Sequence, residues 1–90
     1  MKTTKTRILL VEDDLLSRLN LRTRLEPVGE VLEAPSKQEA LTLLQERPFD
    51  LAFVDLDLES ELAGLEVVKL LKEKEIYTVV LSGREDEKVI

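Results

Sequence analysis

An α/β fold built on a parallel sheet is what this sequence predicts, and three features predict it. Four short apolar runs recur along the chain, Ile8-Leu-Leu-Val11, Glu30-Val-Leu-Glu-Ala34, Leu51-Ala-Phe-Val54 and Ile76-Tyr-Thr-Val-Val-Leu81. The first and third are apolar throughout, the pattern of strands buried on both faces. Between the runs lie segments of helical periodicity, and regular strand-helix alternation makes a parallel sheet with right-handed crossovers.

The elements follow in order. Strand one ends at Val11, before Glu12-Asp13-Asp14. Leu15, Leu16, Leu19 and Leu25 share one face of a first helix that stops before Pro27-Val-Gly29. After strand two, Ser36 and Glu39 have the spacing of a capping box. They open a second helix that turns Ala40, Leu41 and Leu44 inward and ends at Pro48. Strand three follows, then a third helix over about residues 63–74 with Leu65, Val68 and Leu71 on its inner face. Strand four closes the series β1-α1-β2-α2-β3-α3-β4, and the last residues start a fourth helix. No repeat, linker or low-complexity stretch interrupts it, so residues 1–90 read as one domain.

Composition narrows the chemistry. These 90 residues hold no Cys and no His, which removes disulfides, the usual zinc ligands and catalysis by either side chain. A metal here must be a hard cation on oxygen ligands. The net charge of -6 disfavours direct contact with nucleic acid or anionic lipid. The apolar runs are too short to span a bilayer. The basic N-terminal residues lead into a run that stops at an acidic triplet, unlike a signal peptide, so the expected location is the cytoplasm.

Functional groups in open parallel sheets gather at the carboxyl ends of the strands. Strand one runs into Glu12-Asp13-Asp14, strand three into Asp55-Leu-Asp57, and strand four into Ser82-Gly83. Carboxylates meeting there repel one another unless a cation sits among them, and such oxygens suit Mg²⁺ with waters completing its shell. Each residue also has a plainer use. Asp13 or Asp14 can cap the first helix, Asp55 can start a loop, and a Ser beside a Gly can end a strand.

Four blocks, Ile8-Leu-Leu-Val-Glu-Asp-Asp14, Phe49-Asp-Leu-Ala-Phe-Val-Asp-Leu56, Gly64-Leu-Glu-Val-Val68 and Val79-Val-Leu-Ser-Gly83, resemble the signature blocks of response-regulator receiver domains, in order and spacing, from residue 6 onward. The resemblance implies a flavodoxin-like sheet of order 2-1-3-4-5 and a phosphoryl-accepting switch of two-component signalling. Asp55 would be the phospho-acceptor, served by a sensor histidine kinase, a phosphotransfer protein or a small acyl phosphate. Glu12 and Asp13 would hold Mg²⁺, for which Mn²⁺ can substitute, and Asp55 and the backbone carbonyl of Asp57 would join them. The Ser82 hydroxyl would be the switch that reports to an output domain or downstream protein. Asp14, left over, would cap the first helix, although Asp13 and Asp14 as the metal pair is a second register.

Some features depart from the family. The loop 58–64 is acidic, lacks a Pro and is one residue longer, and Asp57 is an acid where many members are neutral. The family's fifth strand and its Lys lie beyond Ile90, so the chain reads as a receiver incomplete at its C-terminal end. Strand four would then be an exposed apolar edge, and the expected state is a dimer or a strand-swapped assembly. Two other classes compete. Asp55-Leu-Asp57 with a later Ser also resembles haloacid-dehalogenase-like phosphatases, which would make the chain an enzyme, although their metal acids follow the nucleophile. A pseudo-receiver that only binds protein is the third. Any enzymatic activity of a receiver is limited to phosphorylating and dephosphorylating itself.

Overall fold

The computed structural model describes residues 5–56, 58 and 60–81. In chain order the elements are β1 (Arg7–Val11), α1 (Leu15–Leu25), β2 (Glu30–Ala34), α2 (Lys37–Glu46), β3 (Leu51–Asp55), α3 (Glu61–Glu73) and β4 (Tyr77–Leu81). The strands form one parallel sheet of order β2-β1-β3-β4, the first four positions of the expected series. The expected fourth-helix start lies outside the described residues.

Side chains at alternate positions of a strand point to opposite faces, and the two faces here are covered unequally. Leu9, Val11, Ala52 and Val54 pack with Ala40, Leu44, Ala63, Val67 and Leu71 in the main core, under α2 and α3. On the other face Ile8 and Leu10 are buried near α1, with Leu25. Further along that face Phe53, Val79 and Leu81 are only half-buried, and β4 is an edge strand among the described residues.

Helix starts are set by their caps. Asp14 Oδ2 accepts from the Ser17 N–H at 2.9 Å, and Ser36 Oγ accepts from the Glu39 N–H at 3.2 Å, as the spacing of each predicts. The third helix begins earlier than expected, because Ser60 Oγ accepts from the Ala63 N–H at 3.1 Å and caps it. This start turns Ala63, Val67 and Leu71 inward, an i, i+4, i+8 stripe. Leu65, expected on the inner face, is half exposed, and Val68 is half-buried against the core.

The expectation for α1 is corrected more strongly. Of its four leucines only Leu25 is buried, while Leu15, Leu16 and Leu19 stand 57%, 76% and 48% exposed. No described element lies over that stripe. A helix can be amphipathic without a neighbour to cover it.

Two glycines allow close backbone approach. A Cβ on Gly29 would lie 2.2 Å from the Thr6 carbonyl oxygen, where the adjacent Glu30 N–H bonds at 2.8 Å to start the β1–β2 ladder. Gly64, in the first turn of α3, lies against the backbone of Asp55 and Leu56. That contact ties the helix to the end of β3, where the site lies.

Candidate metal and phosphoryl-acceptor site

The paired carboxyl ends of β1 and β3 bring three acids together. Val11 and Val54 are partners across the ladder, so Glu12 and Asp55, the next residue of each strand's chain, emerge side by side. Asp13 follows one residue later. Carboxylate oxygens of Glu12, Asp13 and Asp55 lie within 4.8 Å of one another. Glu12 and Asp55 are buried, at 5% and 6% exposure, and Asp13 is open to solvent.

This is an electrostatically unfavourable arrangement for bare carboxylates. Burial, a hydrogen bond shared with Asp55, and the charges of Asp55 and Asp13 together push the Glu12 carboxyl up to about 7. The Asp14 N–H donating to Glu12 Oε2 at 3.1 Å opposes them only in part. Two buried acids and one exposed acid, all presenting oxygen, fit a hard divalent cation: its charge would offset their repulsion, and water could complete its shell from the open side. Among the described residues, Glu12, Asp13 and Asp55 are the ones able to hold it.

Asp14 does not join them. Its side chain turns away to cap α1, where the Ser17 backbone N–H and hydroxyl hold its carboxyl below the ordinary value. The fold therefore brings Glu12 and Asp13 together with Asp55, while Asp14 serves as the cap of α1. Asp57 and Ser82, expected as the carbonyl ligand and the switch hydroxyl, lie outside the described residues. The Leu56 N–H donates to the Leu81 carbonyl at 2.8 Å, so the backbone just after Asp55 is bonded to the end of β4.

One group escaped the sequence reading. Arg18, in the second turn of α1, donates through Nη1 to the Glu12 carbonyl at 3.0 Å and through Nε to Glu33 Oε1 at 2.8 Å. Helical position shows that Arg18 faces the same end as Asp14, but its partner Glu33 is on β2, and pairing across elements leaves no trace in local spacing.

A parallel sheet of this order with three acids at its central carboxyl ends defines a class, and the comparisons agree on it. The family model for the response regulator receiver domain matches residues 8–90, and the chain belongs to that family of phosphoryl-accepting signalling domains. It is similar to the two-component response regulator PhoP of Pseudomonas aeruginosa, 37% identical over an alignment of 81 positions that covers 87% of this chain. The chain spans 36% of the length of that relative. Among solved structures it resembles a response regulator from Thermotoga maritima, at TM-score 0.76 and 30% identity over 93% of this chain and 71% of that one. It also resembles a response regulator from Burkholderia pseudomallei solved with a phosphorylated aspartic acid, calcium ion and citrate, at TM-score 0.77 and 28% identity over 90% of this chain and 49% of that one. These findings set the chain among receivers rather than haloacid-dehalogenase-like phosphatases. No described helix is long and apolar enough to cross a membrane.

Proposed function

We propose that this chain accepts a phosphoryl group on Asp55 in a reaction that requires Mg²⁺, from the phosphohistidine of a sensor histidine kinase or a phosphotransfer protein, or from a small acyl phosphate. The observation that carries this reading is the convergence of the Glu12, Asp13 and Asp55 carboxylates at the end of the two central strands. An Asp55 oxygen attacks phosphorus as the P–N bond to the donor imidazole breaks, and the departing imidazole takes up a proton from solvent. Phosphoryl transfer of this kind depends on positioning and charge neutralisation more than on proton transfer by the protein. A bound Mg²⁺ would let the Asp55 carboxylate and the phosphoryl oxygens approach despite their like charge. Burial of Asp55 strengthens these charge interactions, and the exposed Asp13 side leaves the donor a way in.

The remaining roles rest on the family resemblance: the Asp57 backbone carbonyl as a further metal ligand, the Ser82 hydroxyl as the group that follows the phosphoryl oxygen, and an output domain or downstream protein as the reader of that movement. Incubation with acetyl phosphate and Mg²⁺, followed by intact-mass measurement, tests the acceptor. One phosphoryl adduct is expected, lost in Asp55→Ala and kept in Asp57→Ala. An adduct that survives Asp55→Ala overturns the assignment.

A further inference from the structure

Glu12 is held at three points. Its N–H donates to the Ala34 carbonyl at 3.1 Å, its Oε2 accepts from the Asp14 N–H at 3.1 Å, and its carbonyl accepts from Arg18 Nη1 at 3.0 Å. The first two bonds fix where the residue starts and where its carboxylate points. The third fixes the plane of the peptide that joins Glu12 to Asp13. β1 ends at Val11, so the sheet ladder does not set that plane, and rotating it would swing Asp13 away from the other two carboxylates.

Arg18 is itself anchored for this task. Its guanidinium forks between the Glu12 carbonyl and Glu33 Oε1, and the Arg18 and Glu33 side chains are only 14% and 20% exposed. Glu33 is gripped on its other oxygen by Arg22, which also pairs with Glu26 at 2.9 Å. A planar guanidinium can serve two acceptors in a fixed relation, which an ammonium cannot do. Glu33 also offsets the Arg18 charge, so the fork places little net positive charge beside a cation site.

We infer that Arg18 is a positioning residue for the metal site: bridging the Glu12 carbonyl and Glu33, it holds the Glu12–Asp13 peptide so that Asp13 meets Glu12 and Asp55. This rests on the metal reading given under Proposed function. Three accounts of Arg18 predict different signs. A cation acting through charge alone weakens metal binding, so its removal tightens it. A merely structural salt bridge lowers melting temperature on removal and leaves the affinity of the folded protein unchanged. A positioning residue loosens metal binding when removed, as outer partners of metal ligands do.

The test is a calorimetric titration of the chain with Mn²⁺ alone, with melting temperature measured in parallel. Arg18→Met is expected to weaken Mn²⁺ binding about tenfold. Affinity that is unchanged or tighter in folded Arg18→Met overturns the inference. Arg18→Lys keeps the charge and the stem but offers one nitrogen to two acceptors, and a loss of about twofold to threefold is expected. Should Arg18→Met fail to fold, wild-type affinity in Arg18→Lys overturns the inference. If the unsubstituted chain binds Mn²⁺ no better than Asp13→Asn, the metal reading itself fails, and the role of Arg18 falls with it.

Discussion

A Cβ placed on Gly64 would stand 2.8 Å from the carbonyl oxygen of Leu56, the residue after Asp55. The obstacle is backbone, with Leu56 Cα and the Asp55 carbonyl oxygen at 3.0 and 3.1 Å behind it, so no flexible side chain can yield. Ala is a better helix former than Gly by about 1 kcal/mol, and on that ground alone Gly64→Ala would stabilise α3. Crowding of this kind typically costs about 1–3 kcal/mol, so the clash wins. Gly64→Ala is expected to lower stability in urea unfolding and to slow phosphorylation by acetyl phosphate, because relief requires moving α3 or the end of β3. A stabilised variant labelled at the normal rate would count against this.

The acid cluster should give an unusual pH profile. The Glu12 carboxyl has an ordinary value of 4.5 and lies at about 7 in the fold, so between those limits the folded state binds more protons than the unfolded one. Stability of the metal-free protein therefore falls as pH rises from about 4.5 to 7, by on the order of 2 kcal/mol, and levels off above. Partial burial pushes Glu33 up, yet hydrogen bonds from Arg22 and Arg18 hold it below the ordinary range, so its opposite contribution acts at lower pH. Urea unfolding at pH 5, 6 and 7 without divalent cations checks this. Saturating Mg²⁺ should flatten the slope, since the cation replaces the proton.

Asp14 separates capping from metal binding. Asp14→Ala is expected to cost about 1 kcal/mol through loss of the bond to the Ser17 N–H, and Asp14→Ser should restore most of it. Both variants should bind Mn²⁺ more tightly than Asp13→Asn does. Equal losses at positions 13 and 14 would favour the register of Asp13 with Asp14.

The turn from α3 into β4 holds a correctable strain. Glu75 has φ 60, the left-handed conformation that favours glycine. Its N–H bonds to the Lys72 carbonyl and that of Ile76 to the Leu71 carbonyl, both at 3.0 Å, the paired bonds of a Schellman turn. Glu75→Gly should therefore stabilise the chain by about 0.5–1 kcal/mol, read as a higher urea midpoint with unchanged phosphorylation.

The strands and the acids at their ends were legible because each is local in sequence. Uninterrupted apolar runs mark buried parallel strands, and acids placed at their ends converge once the strands pair. What stayed hidden depends on neighbours. The leucines of α1 declare a face, but periodicity does not say whether anything covers it, and Leu15, Leu16 and Leu19 are exposed. In α3 the bulky Leu65 pointed to one stripe, whereas the small Ala63 lies on the stripe that packs. The Ser60 cap was missed because Ala63, not Glu or Gln, stands three residues later, so no capping box signals it. Arg18 bonds the Glu12 carbonyl directly, but the Glu33 of β2 that anchors its guanidinium lies 15 residues away, and no local spacing announces that pairing.

The central place of β1 has a bearing on how the chain is made. Synthesis produces β1 before either strand that flanks it, β2 on one side and β3 on the other, and in the finished fold Ile8, Leu9, Leu10 and Val11 are fully enclosed. A nascent chain that has left the ribosome only as far as α2 keeps one side of its most apolar strand bare. That bare ladder is a site for mispairing and for chaperones that hold extended apolar segments. Emergence of residues 51–55 closes it and in the same step delivers Asp55 to Glu12 and Asp13, so the acids meet only once the centre of the sheet is complete.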